Sequence, residues 1–252
     1  MPFVQGNRRA SIRALISILG IIIDTIILGI VTIIVCPVSG NLAFHVVRLW
    51  ARIVLRVSGV KVIVLGQENI LRTSPQIFMA NHQSLYDVPA LFLALPVQLR
   101  FVAKKELVRV PIFGWAMSLS GHIVIDRAAQ VGALRIIERS VKRIKREKLS
   151  VCVFPEGSMS WDGSLQPFKR GTFVLAMRTG IPVVPIWISG AREVLPRGRL
   201  TMKPGTIRLM IGEPLDTSSY VMENKEELMD RVRKSMIQLK KQEACRDTRR
   251  IT

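Results

Sequence analysis

The stretch Asn81-His82-Gln83-Ser84-Leu85-Tyr86-Asp87 sets a histidine and a carboxylate five positions apart, directly after the apolar run Ile77-Phe78-Met79-Ala80. Imidazole takes up a proton near neutral pH, and a neighbouring carboxylate orients its ring. His82 and Asp87 are therefore a candidate general base and its positioning partner. The run before them reads as a strand, and the residues from Leu85 to Ala94 as a helix that stops before Pro96. A strand end opening into a helix start is where open α/β sheets gather ligands and catalytic groups. A structural reading stands beside the chemical one. Ser84 followed three positions later by Asp87 has the form of a capping box, in which the carboxylate stabilises a helix start.

Further chemistry-bearing residues also follow apolar runs. Gly121-His122-Ile123-Val124-Ile125-Asp126-Arg127 ends a strand in an acid–base pair. Arg127 suits bidentate phosphate binding, or else a surface ion pair, and His122 reads as a strand residue. In Phe154-Pro155-Glu156-Gly157-Ser158-Met159-Ser160, Gly157 permits close backbone approach to an anion, and Ser158 and Ser160 add donors. Glu156 has no helix to cap, so a substrate hydroxyl or a basic residue is its expected partner. Pro167-Phe168-Lys169-Arg170-Gly171 brings two cations close to that loop, and Lys104-Lys105 sets paired cations after another strand. Val184-Pro185-Ile186 lies in an apolar stretch that reads as a core strand, or as the wall of a site for a hydrophobic chain.

The elements that must position these residues are short β-branched runs alternating with helical patterns. Strands are expected over 61–65, 77–80, 99–103, 123–125, 151–154, 183–188 and 207–211, and helices over 85–94, 133–146 and 225–241. This alternation predicts an α/β fold, with a mixed, mostly parallel sheet flanked by helices, over residues 59–242. The helix over 133–146 buries Ile136, Ile137, Val141 and Ile144 and exposes Arg139, Lys142, Arg143, Lys145 and Arg146. The chain from Lys240 to Thr252 is expected to be frayed, with residues 243–252 a basic polar tail.

Residues 1–58 have a different character. From Leu15 to Val35 nearly every residue is Ile, Leu or Val, a length that spans a bilayer as a helix. The run is too long for a signal peptide and lacks a small-residue cleavage site. After a turn at Pro37, Ser39 and Gly40, a second helix is expected from Asn41 to Val57. It carries a basic stripe of Arg48, Arg52 and Arg56 and an apolar face of Leu42, Val46, Leu49, Ile53 and Val57. Arg8, Arg9 and Arg13 put positive charge before the apolar run as well, and Asp24 lies inside it. A two-helix hairpin lying in one leaflet keeps both basic clusters at one membrane face, so an N-terminal two-helix membrane-binding motif is favoured over a single span.

The bulk composition agrees with a membrane surface. Of 252 residues, 49% are hydrophobic, and 37 Lys and Arg against 18 Asp and Glu give a net charge of +19. Such a surplus attracts anionic lipid headgroups or phosphorylated substrates. Aromatics at 6% form no basic–aromatic stacking stripe, so nucleic acid is not an expected partner. The cysteines, Cys36, Cys152 and Cys245, are odd in number and far apart. They offer neither a disulfide framework nor a metal site, and fit a reducing compartment.

Together, Asn81, His82 and Asp87; Ile125, Asp126 and Arg127; Phe154-Pro155-Glu156-Gly157; and Val184, Pro185, Ile186 and Gly190 resemble, in order and spacing, the four sequence blocks of the 1-acyl-glycerol-3-phosphate acyltransferases. Lys104-Lys105-Glu106-Leu107, Pro111 and Gly114-Trp115 match the segment between the first two blocks, and the resemblance runs from about residue 60 to 215. It implies a glycerolipid acyltransferase at the cytoplasmic face of a membrane, in bacteria the inner membrane. The enzyme would move a fatty acyl group from acyl-CoA or acyl carrier protein to the sn-2 hydroxyl of lysophosphatidic acid. The product would be phosphatidic acid, with no metal and no cofactor beyond the acyl donor.

In that family pattern His82 and Asp87 are catalytic. Lys105, Arg127, Glu156, Gly157, Ser158 and Lys169 bind the acceptor and its phosphate, and Val184, Pro185 and Ile186 line the acyl pocket. The chain departs from the pattern in its third block, where Ser158 stands for Thr and Met159 for the Arg used to bind acceptor phosphate. Another lysolipid acceptor is therefore the main alternative. A thioester hydrolase and a non-catalytic lipid-binding protein on the same fold are the readings from other classes.

Overall fold

The computed structural model describes residues 8–125 and 133–248. Its β-branched runs become seven strands: β1 (Val60–Leu65), β2 (Ile77–Ala80), β3 (Leu99–Lys104), β4 (Ile123–Ile125), β5 (Ser150–Val153), β6 (Val183–Ser189) and β7 (Gly205–Ile211). They form one sheet in the order β1-β7-β6-β2-β5-β3-β4. All pairings are parallel except that of β6 with β7. The expected mixed, mostly parallel sheet is thus the observed one.

Parallel strands are covered on both faces, and their alternation shows it. In β2, Phe78 and Ala80 point into one core while Ile77 and Met79 point into the other. The first core is capped by α2 (Gly40–Val57) and α3 (Asp87–Ala94), through Phe44, Val54, Leu55, Leu91 and Leu95. The second is capped by α5 (Ala133–Glu147), α6 (Arg170–Thr179) and α8 (Lys225–Thr248), through Ile144, Phe173, Leu228 and Val232. Each such side chain contributes roughly 1.5–3 kcal/mol by leaving water, so the sheet is held equally from both sides.

Because β2 to β6 run parallel, the residues following β2, β3 and β5 and the ends of β4 and β6 lie at one edge. That edge carries His82, Lys105, Glu156 and Ser189.

Several helical expectations need correction. In α2 the sequence reading missed a second apolar side: Leu42, Leu49 and Val57 of the assigned apolar face are exposed, while Ala43, Phe44, Ala51, Val54 and Leu55 are buried. Arg143 of α5 is not a solvated cation. It donates through Nη1 to the Gly121 carbonyl at 2.9 Å and through Nε to Glu147 at 3.0 Å. The tail is not frayed at Lys240, because α8 runs on to Thr248 and buries Glu243 against the Ser189 hydroxyl. Two helices escaped the sequence reading, α4 (Phe113–Leu119) and α6, along with the single turn α7 (Ala191–Val194).

The N-terminal helix α1 (Arg8–Val35) folds back on α2 through a four-residue turn and also packs on α4. Its inward side is fixed by polar and small residues. Thr25 Oγ1 accepts the Trp50 indole N–H at 3.0 Å, and Gly29 lets Ile112 approach so closely that a Cβ there would lie 2.7 Å from its Cγ2. The outward side is apolar and open: Ile16, Leu19, Ile22, Ile23, Ile26, Ile27, Ile30 and Ile34 are all exposed. The segment from Leu15 to Val35 is long and apolar enough to cross a membrane.

Candidate active site

The loop from Asn81 to Tyr86 leaves β2 at the C-terminal edge of the sheet and turns at once into α3, whose first residue is Asp87. This tight reversal brings the two side chains together. His82 Nδ1 lies 2.8 Å from Asp87 Oδ2. The same oxygen accepts the backbone N–H groups of Gln83 at 2.7 Å and Ser84 at 2.9 Å. Asp87 is fully buried, with the His82 ring and two backbone amides converging on Oδ2 and no hydrogen-bond partner for Oδ1 among the described residues. An oxygen that already accepts two amides calls for a donor at Nδ1. The ring is then in the tautomer with a free lone pair on Nε2, as a general base requires. The capping box does not close as expected: the N-cap of α3 is Tyr86, without a side-chain cap bond, and the Ser84 hydroxyl goes to the Leu195 carbonyl, so the Asp87 carboxylate holds the loop before the helix together with the histidine.

His82 is held from three other directions. Its ring lies on Phe154, with centroids 3.9 Å apart and planes 11° apart. Its backbone N–H donates to Glu156 Oε1 at 2.7 Å, and its carbonyl accepts the Ser160 N–H at 2.8 Å. One residue back, the Asn81 amide makes a two-way contact with β6, donating to the Ile188 carbonyl at 2.9 Å and accepting the Ile188 N–H at 2.6 Å. Ser84 Oγ donates to the Leu195 carbonyl at 2.8 Å. The first, third and fourth sequence blocks are therefore joined by hydrogen bonds at one sheet edge, with the His82 ring 16% exposed between them.

Several site residues take other parts than the sequence suggested. Glu156 is not an open acceptor-binding carboxylate. It is 2% exposed, and its second oxygen accepts the Gln166 N–H at 2.7 Å, so both oxygens are committed to backbone. Burial raises its pKa, and the amides from Gln166 and His82 pull the other way. Gly157 has the positive φ of +75° that favours glycine, but its N–H closes a turn onto the Phe154 carbonyl at 3.0 Å rather than facing an anion.

Val184, Pro185 and Ile186 are buried within β6, Val184 and Ile186 in the core beneath α3. They fill the interior instead of walling an open pocket. Ser158 and Lys169 are exposed beside the Glu156 loop, where the Lys169 N–H bonds the Pro155 carbonyl at 2.7 Å. Lys105 stands at the end of β3 on the same edge. Asp126 and Arg127 lie outside the described residues.

His122 is the strand-side residue expected. It accepts the Phe101 N–H at 2.8 Å, and burial, then the charges of Arg100 and Arg143, push its pKa down to about 3. Asn81 and Phe154 entered the sequence reading only as members of the blocks, without a role, and Leu195 was not singled out at all. Phe154 carries the one usable signal, an aromatic residue closing a strand just before Pro155.

A model of the acyltransferase family matches residues 61–189. The chain is similar to the 1-acyl-sn-glycerol-3-phosphate acyltransferase of Saccharomyces cerevisiae, with 31% identity over 83% of this chain and 70% of that protein. It is 30% identical to the human 1-acyl-sn-glycerol-3-phosphate acyltransferase alpha, over 83% of this chain and 75% of the other. A chloroplastic 1-acyl-sn-glycerol-3-phosphate acyltransferase from Brassica napus is 35% identical over 68% of this chain, which spans 50% of that longer protein. Among solved structures, the 1-acyl-sn-glycerophosphate acyltransferase PlsC from Thermotoga maritima superposes with a TM-score of 0.80 at 26% identity, covering 93% of this chain and 98% of the other.

Proposed function

The chain belongs to the acyltransferase family, and from that premise we propose that it moves a fatty acyl group from a thioester donor to the sn-2 hydroxyl of lysophosphatidic acid, forming phosphatidic acid. The observation that carries this reading is the 2.8 Å contact between His82 Nδ1 and a buried Asp87 carboxylate, with the ring partly open at the sheet edge. His82 Nε2 takes the proton of the acceptor hydroxyl as its oxygen attacks the thioester carbonyl. The tetrahedral intermediate collapses by breaking the carbon–sulfur bond, and the proton passes from His82 to the departing thiolate. Atoms and charges balance without a covalent enzyme intermediate or a cofactor; the donor is acyl-CoA or acyl-carrier protein.

Membrane association belongs to the same proposal. The acceptor is a lipid, and the exposed isoleucines of α1 supply a surface that enters the acyl layer without lifting the acceptor into water. Arg52 and Arg56 of α2 are exposed beside it and suit anionic headgroups at the cytoplasmic face. A second reading keeps the chemistry and changes the acceptor. Met159 brings no charge to the loop after β5, which favours a lysolipid with another headgroup.

The test is thiol release from an acyl thioester, with and without lysophosphatidic acid, on wild type and His82→Ala. Acceptor-dependent thiol release that falls by about two to four decades in the variant supports the mechanism. Release of free fatty acid without acceptor makes the protein a hydrolase instead.

A further inference from the structure

A phosphate monoester beside the reacting hydroxyl needs a fixed cation close to His82, and a planar guanidinium meets its oxygens better than an ammonium does. The turn after β5 that bonds His82 supplies no such group of its own, since from Phe154 to Phe168 it carries no Lys or Arg and Met159 stands between Ser158 and Ser160. A guanidinium reaches the same spot from a different segment. We propose that Arg197, in the connection between β6 and β7, contacts the acceptor phosphate and sets the preference for a phosphorylated lysolipid; this rests on the acyltransferase reading above.

Two tethers place Arg197 beside the catalytic loop. Its Nη1 donates to the Met159 carbonyl. That carbonyl belongs to the same peptide group as the Ser160 N–H, which donates to the His82 carbonyl at 2.8 Å. One planar peptide unit therefore separates the guanidinium from the backbone of His82. The second tether comes from the other side: Leu195, two residues earlier, accepts the Ser84 hydroxyl at 2.8 Å.

The guanidinium also lies over an aromatic ring, with its carbon 4.1 Å from the centre of the Trp161 ring. A ring on one side of the group holds it by cation–π attraction without using its N–H donors, which a phosphate would need. Only one of its N–H groups is engaged by Met159, and among the described residues no carboxylate pairs with it.

The neighbouring contacts stiffen the arrangement. Arg192 Nε donates to the Trp161 carbonyl at 3.2 Å, and Gln83 Nε2 donates to the Gly163 carbonyl at 3.2 Å. The loop from Met159 to Gly163 is thus strapped between the residue after His82 and the segment that carries Arg197. A cation delivered to this loop from outside it does the work of a charged side chain within it.

The experiment measures kcat/KM for lysophosphatidic acid and for 1-monoacylglycerol, which offers the same hydroxyl without the phosphate. It uses the full chain in mixed micelles, comparing wild type, Arg197→Ala, Arg197→Lys and the double variant Met159→Arg with Arg197→Ala. The ratio between the two acceptors is expected to fall by about 10- to 100-fold in Arg197→Ala, through KM for lysophosphatidic acid. It should fall less in Arg197→Lys, and recover in the double variant. Arg197→Lys retains a donor for the Met159 carbonyl, so it reads the ratio even where Arg197→Ala folds poorly. An unchanged ratio in both single variants, or equal losses on both acceptors, overturns the role of Arg197 while leaving the acyltransferase reading intact. A wild-type protein that transfers acyl groups to 1-monoacylglycerol but not to lysophosphatidic acid overturns the proposed acceptor and this inference with it.

Discussion

Glu156 Oε1 accepts the backbone N–H of His82 at 2.7 Å, across 74 residues of sequence. With the Ser160 N–H on the His82 carbonyl, this fixes the main chain on both sides of the His82 imidazole. Aim therefore comes from the backbone as much as from the ring's own contact with Asp87. A 1 Å drift here would be costly, because proton transfer needs the base within hydrogen-bond reach of the hydroxyl.

Glu156→Gln is expected to lower kcat by about tenfold and stability by roughly 1–3 kcal/mol, since the amide nitrogen that replaces one oxygen sets N–H donors against a backbone N–H. KM for the acceptor should stay close to wild type, because both carboxylate oxygens face backbone and not substrate. Steady-state kinetics with a thermal melt separates the cases; a large rise in acceptor KM with kcat intact would return Glu156 to substrate binding.

Asp87→Asn retains the side-chain shape but removes the charge on which the His82 ring and the Gln83 and Ser84 amides converge. The buried amide also brings N–H donors of its own, and the ring loses its fixed tautomer. We expect kcat to fall by about three to four decades. Thiol-release kinetics checks it, and turnover within tenfold of wild type would remove Asp87 from its positioning role.

His122 gives a pH dependence with a definite sign. Its folded pKa of about 3 lies below the ordinary histidine value, so the unfolded chain takes up a proton before the folded protein does. Its contribution to stability is present above pH of about 6.5 and is lost as pH falls from there towards 3, by at most roughly 1.4 kcal/mol per pH unit. His122→Gln, which retains an acceptor for the Phe101 N–H, should flatten the slope of the thermal midpoint over that window. A wild-type slope that persists in the variant would assign the effect to other groups.

Ile23→Lys with Ile27→Lys places charge on the outward side of α1, away from the Thr25–Trp50 bond. Sedimentation with anionic vesicles should show the variant left in the supernatant while its circular dichroism is retained. Arg52→Glu with Arg56→Glu should weaken binding by about 1 kcal/mol or more per residue at low salt, and less at high salt. Vesicle binding unaffected by the α1 pair would exclude that face as the lipid contact.

Much of the fold was legible because periodicity is a local property. All seven strands fall within two residues of the runs of Val, Ile and Phe that predicted them. The overlooked α4 and α6 are short helices whose apolar residues follow no clean amphipathic stripe. In α2 the apolar residues occupy both sides, so the pattern alone does not say which side meets the sheet. Leu42 and Leu49 face outward while Phe44 and Leu55 are buried.

The site divides along the same line. The sequence by itself determined the pairing of His82 with Asp87, because they belong to one loop and one helix start, and five residues of chain suffice to join them. It also determined the reaction class, through blocks whose order survives in the primary structure. Only the tertiary structure decided what each remaining residue faces. Glu156 turned inward to backbone amides, Val184 and Ile186 went to the core, and Arg197 came to Met159 from 38 positions away. Sequence spacing constrains groups on the same local element, whereas contacts between loops depend on strand order. Here β5 and β6 flank β2, and that adjacency brings their loops to His82.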